Sequence, residues 1–157
     1  MIEVKGLKIL IFQLTLISDI VGELGVVKGA FYSAAYMMQW VLADDLDVSP
    51  EEIELASITQ VSLEDGSGRS VARIVLADEL ANGSGFVKHL FNQLDSFLKK
   101  CTDPDERDTY AYSFINEKHL MNCESATYDD LKTYRNLNYH GIMDLKLAIG
   151  LVLRESG

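Results

Sequence analysis

Four side chains with ligand or polar groups recur at helical spacing in the C-terminal half of the chain: His119, Cys123, Thr127 and Asp130. Such intervals place the groups on one side of a helix or turn, close enough to share an ion. Structural zinc takes four Cys or His ligands, and carboxylate is also accepted. His119 and Cys123 are good ligands, Asp130 is acceptable and Thr127 is poor. The pattern predicts at most a weak, incomplete zinc site, and its alternative is a surface histidine, a buried cysteine and a helix cap.

A second polar cluster follows at Tyr134, Arg135, Asn136, His140 and Asp144. Asp144 comes four residues after His140, so on a helix its carboxylate could orient the imidazole ring. The cluster could bind a ligand, or it could hold a buried, hydrogen-bonded corner of the fold together. We favour the corner, because buried polar groups in proteins are generally hydrogen-bonded to one another or to backbone.

A glycine-containing loop, Asn82-Gly83-Ser84-Gly85, precedes a predicted helix. Glycine allows backbone amides to converge on an anion, which the helix dipole also favours. No Gly-Lys-Ser/Thr follows, and the loop does not match GxGxxG, so neither nucleotide-binding motif is present. The favoured interpretation is therefore a tight turn with Ser84 as the N-cap.

Hydrolytic chemistry is a third interpretation of these polar groups. Ser84, His140 and Asp144 have the residue types of a catalytic triad, but no GxSxG motif surrounds the serine. Carboxylates such as Asp78 and Asp130 could hold metals in a nuclease, yet on an acidic protein they are usually solvated. We therefore expect the isolated chain not to be an enzyme.

The composition is that of one ordinary globular domain, 1–157, with 48% hydrophobic and 24% charged residues. The net charge of −10 repels phosphates, so we expect any contact with DNA to be indirect. Two cysteines do not suggest a disulfide scaffold. The start of the chain lacks a signal-peptide pattern, and its apolar run at 7–17 is too short to cross a bilayer. The expected location is cytoplasmic, without membrane contact.

The elements that must position the polar groups follow from the periodicity of the apolar residues. They are predicted as a strand at 7–20, a helix at 27–42, a capped helical turn at 49–52, a hairpin of 53–63 and 70–77, a helix at 86–98, a surface loop at 101–108, a capped helical segment from 127 and a last helix at 141–153. This order predicts an α/β protein of the α+β type. A small, mainly antiparallel sheet would pack against helices and could include one parallel pair of strands. The chain would end in a helical segment.

The helix at 86–98 has the clearest apolar face in the chain. Phe86, Leu90, Phe91, Leu94 and Phe97 recur at helical spacing, with polar residues on the opposite side. These five residues are therefore predicted to belong to the core and to face the strands.

Three segments, in this order along the chain, resemble the MrfA-type zinc-binding (MZB) domain. Residues 30–52 resemble its first helix and acidic turn, and 75–87 resemble its strand, glycine loop and helix. Residues 123–144 resemble its closing pattern, Cys-x-x-Ser-Cys-Tyr-x-Cys-Leu…Tyr-x-Asn…His…Leu-Asp. The similarity covers most of the chain, from about Leu7 to Leu153. The family's cysteines at the positions of Thr127 and Asp130 are missing, so the resemblance implies a degenerate zinc site.

The MZB domain lies at the C-terminal end of many superfamily-two helicases and occurs in the B component of the DISARM anti-phage system. The resemblance implies a non-catalytic accessory or scaffolding module that contacts a helicase in a DNA-processing or defence complex. An alternative is a stand-alone regulator or decoy that competes for the same partner, and a hydrolase or nuclease is the remaining possibility. Because the helicase body is absent, the chain is expected to be either a domain of a longer protein or a stand-alone copy.

Overall fold

The computed structural model describes residues 2–4, 7–15, 24–62, 66, 70–78, 85–101, 113, 115–128 and 130–155. Their strands and helices, in chain order, are β1 (Ile2–Val4), β2 (Leu7–Thr15), α1 (Leu24–Asp45), β3 (Ile53–Ser62), β4 (Ser70–Asp78), α2 (Phe86–Asn92), α3 (Leu94–Lys100), α4 (Glu117–Asn122) and α5 (Leu145–Glu155). Two 3-10 helices lie at Pro50–Glu52 and Tyr134–Tyr139. The predicted α+β class is confirmed.

The sheet has the strand order β1-β2-β4-β3, and each neighbouring pair is antiparallel. The predicted hairpin is confirmed as β3 and β4, in which Ile58 lies opposite Ile74. On the other side of β4, Phe12 of β2 also lies opposite Ile74. Ile74 and Leu76 are fully buried, so β4 is the central strand of the core. The parallel pair of strands that the prediction allowed does not occur among the described strands.

Helix α1 packs against both the sheet and α5, and it supplies much of the core. The predicted apolar face is largely buried, at Phe31, Ala34, Met38, Val41 and Leu42. Ala35, Met37 and Ala43 are buried as well, so the burial extends beyond one stripe. The predicted helical turn follows α1. The Ser49 side chain caps it, and the Glu52 carboxylate accepts a hydrogen bond from Ser49 N at 3.3 Å.

The single helix predicted at 86–98 is broken into α2 and α3 at Gln93, whose φ of −125° and ψ of 23° are not helical. The break changes the direction in which the later side chains point, so one continuous apolar stripe no longer describes both helices. Phe91 lies before the break, one position after the buried Leu90 and so about 100° further around α2; it is 53% exposed, and its prediction as a core residue is wrong. The other predicted residues are buried or partly buried: Leu90, Phe97, Phe86 and Leu94. Helix α2 faces β2 and β4 as predicted, whereas α3 packs mainly against α5.

Further corrections concern the C-terminal half. Cys101, predicted to open a surface loop, is fully buried at the end of α3. The described residues at 127–128 and 130–132 form a turn and not a helix: the Lys132 N–H donates to the Thr127 carbonyl at 2.8 Å, whereas an α-helix joins residues four apart. The last helix begins at Leu145, later than the predicted 141. Among the described helices, none has the length and apolarity needed to cross a bilayer.

Candidate functional site

Helix α4 sets the positions of His119 and Cys123. The Asn116 side chain caps the helix by accepting a hydrogen bond from His119 N at 3.0 Å. The helix ends at Cys123, where the backbone becomes extended while Cys123 N still donates to His119 O at 2.9 Å. The two side chains are therefore one helical turn apart, and the chain after Cys123 is free to turn back towards them.

The carboxylate of Asp130 brings the four predicted residues together. Asp130 Oδ1 accepts hydrogen bonds from Thr127 N at 2.8 Å and from Leu131 N at 2.5 Å. Its Oδ2 accepts one from Thr127 Oγ1 at 2.8 Å and lies 3.2 Å from His119 Nε2 and 3.7 Å from Cys123 Sγ. Asp130 is only 1% exposed, and these donors compensate the burial of its charge.

Burial and the same carboxylate together make the Cys123 thiol harder to ionise. Burial raises the pKa of Cys123, and the neighbouring Asp130 charge and hydrogen bond raise it further, against a smaller lowering by Lys146 and by the hydrogen bond to Ser125. The thiol also donates to Ser125 O at 2.9 Å. Because the nucleophile and the metal ligand are both the thiolate, this environment suppresses both roles of the sulfur.

The donor set fits a three-donor metal site better than the four-ligand site that the family resemblance implies. The ligand atoms of His119, Cys123 and Asp130 lie within 4.8 Å of one another. Donors around tetrahedral zinc, with bonds of about 2.0–2.3 Å, lie roughly 3.3–3.7 Å apart, so the two shorter separations are compatible with a shared ion. The fourth position falls to Thr127, whose hydroxyl already donates to Asp130. This set suits weak metal binding and not a closed structural site.

The second predicted cluster forms a hydrogen-bonded corner at Asn136 and His140. Asn136 is fully buried, and its Nδ2 donates to Leu131 O at 2.8 Å. Its Oδ1 accepts from Thr133 N at 2.8 Å. His140 Nε2 lies 2.8 Å from that same Oδ1 and 2.9 Å from Thr133 O. Both neighbours are acceptors, so we assign the ring proton to Nε2.

Asp144 does not orient His140, and that prediction is wrong. Its Oδ1 accepts a hydrogen bond from Leu147 N at 3.0 Å, which makes Asp144 the cap of α5. Asp144 N donates to Ser33 Oγ at 2.8 Å, which ties the start of α5 to α1. His140 instead bonds to Thr133 and Asn136, so its described hydrogen bonds do not form the His–Asp pair that a hydrolytic triad requires.

Tyr134 and Arg135, which belong to the same motif, point outwards. Tyr134 is 84% exposed. Arg135 Nη2 forms an ion pair with Glu51 Oε2 at 3.0 Å, and both side chains are largely exposed. The motif is therefore divided between a buried corner and an outer surface.

The predicted glycine loop is described only at its last residue. Asn82, Gly83 and Ser84 lie outside the described residues. Gly85 is the N-cap of α2, with φ 84° and ψ 8°, a left-handed conformation that glycine adopts without a Cβ clash. The N-cap is thus Gly85 and not the predicted Ser84. Helix α2 has seven residues and receives no side-chain cap.

The structure also contains a cleft that the sequence motifs did not reveal, with a volume of about 540 Å³. It lies between α1, the Ser49–Leu55 segment and the start of the second 3-10 helix, and its lining includes Tyr36, Gln39, Trp40, Pro50, Glu51, Ile53, Glu54, Thr133, Tyr134 and Arg135. We name it the Trp40 cleft. One sequence feature could have indicated it. Tyr36, Gln39 and Trp40 recur at helical spacing away from the apolar face of α1.

Three tyrosines join α1 to the second 3-10 helix beside this cleft. The Tyr139 ring centroid lies 4.4 Å from that of Tyr32 and 6.2 Å from that of Tyr36. Burial, followed by the proximity of Tyr139 and Tyr32, raises the pKa of Tyr36 to about 12. The Tyr36 phenol is therefore neutral at physiological pH and contributes a polar, uncharged wall.

Comparison of the chain with protein-family models, curated proteins and solved structures finds no match.

Proposed function

We propose that the chain is a non-catalytic accessory module that docks on a helicase in a cytoplasmic DNA-processing or anti-phage complex. The observation that supports docking is a surface of exposed, large side chains, which we name the tyrosine surface: Tyr128, Tyr134 and Leu137. Their exposed fractions are 58%, 84% and 54%. Tyrosine is enriched among the residues that dominate binding energy in protein interfaces.

The tyrosine surface is held in place by the buried corner beneath it. The ring centroids of Tyr128 and Tyr134 are 5.9 Å apart, and the His140 ring meets Tyr128 edge-on at 5.4 Å. His140 is in turn held by Asn136 and the Thr133 carbonyl. Side chains anchored in this way lose less conformational entropy on binding, which favours their use as contact residues.

The resemblance to the MZB domain supports a helicase as the partner, and charge supports contact with protein. A chain of net charge −10 repels the DNA backbone, whereas it is complementary to a basic protein surface. In this proposal the helicase holds the DNA, and the module contacts the helicase.

A pull-down from the native cell tests the proposal. The double variant Tyr128→Ser/Tyr134→Ser removes the tyrosine surface, and Phe91→Ser is the matched control because it removes an exposed aromatic side chain elsewhere. We expect wild type and the control to retain a helicase, and the double variant to retain about tenfold less. Truncation of hot-spot residues in other interfaces weakens binding by a similar factor. Absence of a helicase from the wild-type sample, or equal retention by the double variant, would contradict the proposal.

A further inference from the structure

The Trp40 cleft presents aromatic side chains on two sides. Tyr36 and Trp40 line it from α1, and Tyr134 lines it from the second 3-10 helix. Aromatic ring faces attract cations, and a guanidinium group combines this attraction with planar stacking. The walls of the cleft therefore favour a flat, positively charged group.

Three side chains of the cleft, Gln39, Glu51 and Glu54, provide hydrogen-bond acceptors. Gln39 Nε2 donates to Pro50 O at 3.0 Å and to Ile53 O at 2.5 Å, which uses both of its N–H groups. The Gln39 amide can then offer a ligand only its carbonyl oxygen. Glu51 and Glu54 add two exposed carboxylates. A ligand complementary to these acceptors brings hydrogen-bond donors and positive charge.

Arg135 shows which cation these carboxylates accept. It is the only cationic side chain among the described lining residues, and its guanidinium pairs with Glu51 at 3.0 Å. Both side chains are more than half exposed, so the pair contributes little stability and an incoming guanidinium can displace it. In the described part of the chain, Glu54 pairs with no cation. One carboxylate is thus held by an internal arginine and a second is open to a ligand.

We propose that the Trp40 cleft binds an arginine side chain from a basic peptide segment of the partner protein. The inference rests on the proposed function, because Tyr134 belongs to both the cleft and the tyrosine surface. A partner docked on that surface reaches the cleft directly. The ligand guanidinium lies between the aromatic side chains and bonds to Glu54, and the net charge of −10 attracts the basic segment.

The test measures binding of a capped Gly-Ser-Arg-Ser-Gly peptide to the purified full chain. Trp40 is the only tryptophan, so its emission reports on the cleft directly. The lysine and citrulline versions of the peptide test the need for a guanidinium and for positive charge. We expect a dissociation constant on the order of 0.1–1 mM for the arginine peptide. The other two peptides should bind at least about tenfold more weakly, because citrulline lacks the charge and lysine lacks the planar group that stacks on aromatic rings and contacts a carboxylate at two points.

Matched variants separate the cleft from general attraction to an acidic protein. Glu54→Gln and Glu124→Gln change the net charge equally, but Glu124 is exposed and does not line the cleft. We expect Glu54→Gln to weaken arginine-peptide binding about tenfold and Glu124→Gln to leave it within about twofold. Arg135→Ala removes the internal competitor and should strengthen binding about threefold or more, whereas Lys118→Ala should not.

Equal effects of Glu54→Gln and Glu124→Gln, equal binding of the lysine peptide, or unchanged Trp40 emission at saturation would overturn the arginine site. Far-UV circular dichroism verifies that each variant folds, and Arg135→Ala is an independent test because it predicts a gain. A helicase captured equally by wild type and Glu54→Gln would refute the cleft inference and leave the proposed function standing. Arginine-peptide binding with no captured helicase would refute the helicase assignment alone.

Discussion

Replacement of Gly29 by alanine tests the packing of α1 against the chain that leads into α5. A Cβ atom added at Gly29 would lie 2.3 Å from the carbonyl oxygen of Ile142 and 3.4 Å from its carbonyl carbon. Close carbon–oxygen contacts in proteins lie at about 3.3 Å, so the two segments must separate by about 1 Å. The contacted atom belongs to the backbone and cannot move aside by changing a rotamer.

The magnitude follows from two opposing contributions to the free energy of unfolding. Overpacking of a well-packed core costs about 1–3 kcal/mol, and a clash with backbone belongs to the upper part of that range. Alanine gains about 1 kcal/mol over glycine in helix propensity. We therefore expect Gly29→Ala to destabilise the fold by about 1–2 kcal/mol.

Gly150→Ala is the matched control, because Gly150 lies in α5 with nothing within 4 Å of its added Cβ. It should stabilise the fold by about 0.5–1 kcal/mol. Urea denaturation followed by Trp40 emission and far-UV circular dichroism measures both values, with the slope in urea unchanged. If Gly29→Ala were as stable as wild type, the close approach of α1 to Ile142 would be refuted.

Four further predictions follow from burial and charge. Leu90→Ala should lose about 2–5 kcal/mol of stability in urea melts and Phe91→Ala less than about 0.5, because Leu90 is 1% and Phe91 is 53% exposed. Similar losses for the two variants would refute the assignment of Leu90 to the core and Phe91 to the surface. Folding raises the pKa of Tyr36 from 10.0 to about 12. The stability that its neutral phenol contributes is therefore intact below pH 10 and is lost as the pH rises through 12. Urea melts at alkaline pH should show a smaller loss of stability for Tyr36→Phe than for wild type. Cys101 and Cys123 are buried, with raised pKa values, and should react with a thiol reagent such as DTNB only slowly until denaturant is added. Elemental analysis of dialysed protein should find less than one equivalent of zinc, and stoichiometric zinc whose removal unfolds the chain would contradict this.

Features that depend on neighbouring residues could be predicted from the sequence. Ser49, Pro50 and Glu52 specify a capped helical turn, because its hydrogen bonds join residues at most three positions apart. The hairpin of β3 and β4 follows from two β-rich runs separated by turn residues. The convergence of His119 and Cys123 is likewise local, since one helical turn separates them.

The site as a whole depended on contacts that no local pattern contains. The Trp40 cleft combines α1, Ser49–Leu55 and Thr133–Arg135, which meet only when the chain folds back on itself. The backbone N–H of Asp144 donates to Ser33 Oγ, 111 residues away, and this contact ties the start of α5 to α1.

The same limit applies to the break at Gln93 and to the burial of Cys101. Helical periodicity describes which residues share one face of a continuous helix, but the position at which a helix breaks is decided by packing against other elements. Local propensities and caps are worth tenths to about one kcal/mol per residue, whereas burial of a large side chain is worth about 1.5–3 kcal/mol. Helical spacing alone therefore misplaces Phe91, which is exposed, and the polar composition misplaces Cys101, which is buried, because the neighbouring elements decide which side chains are covered.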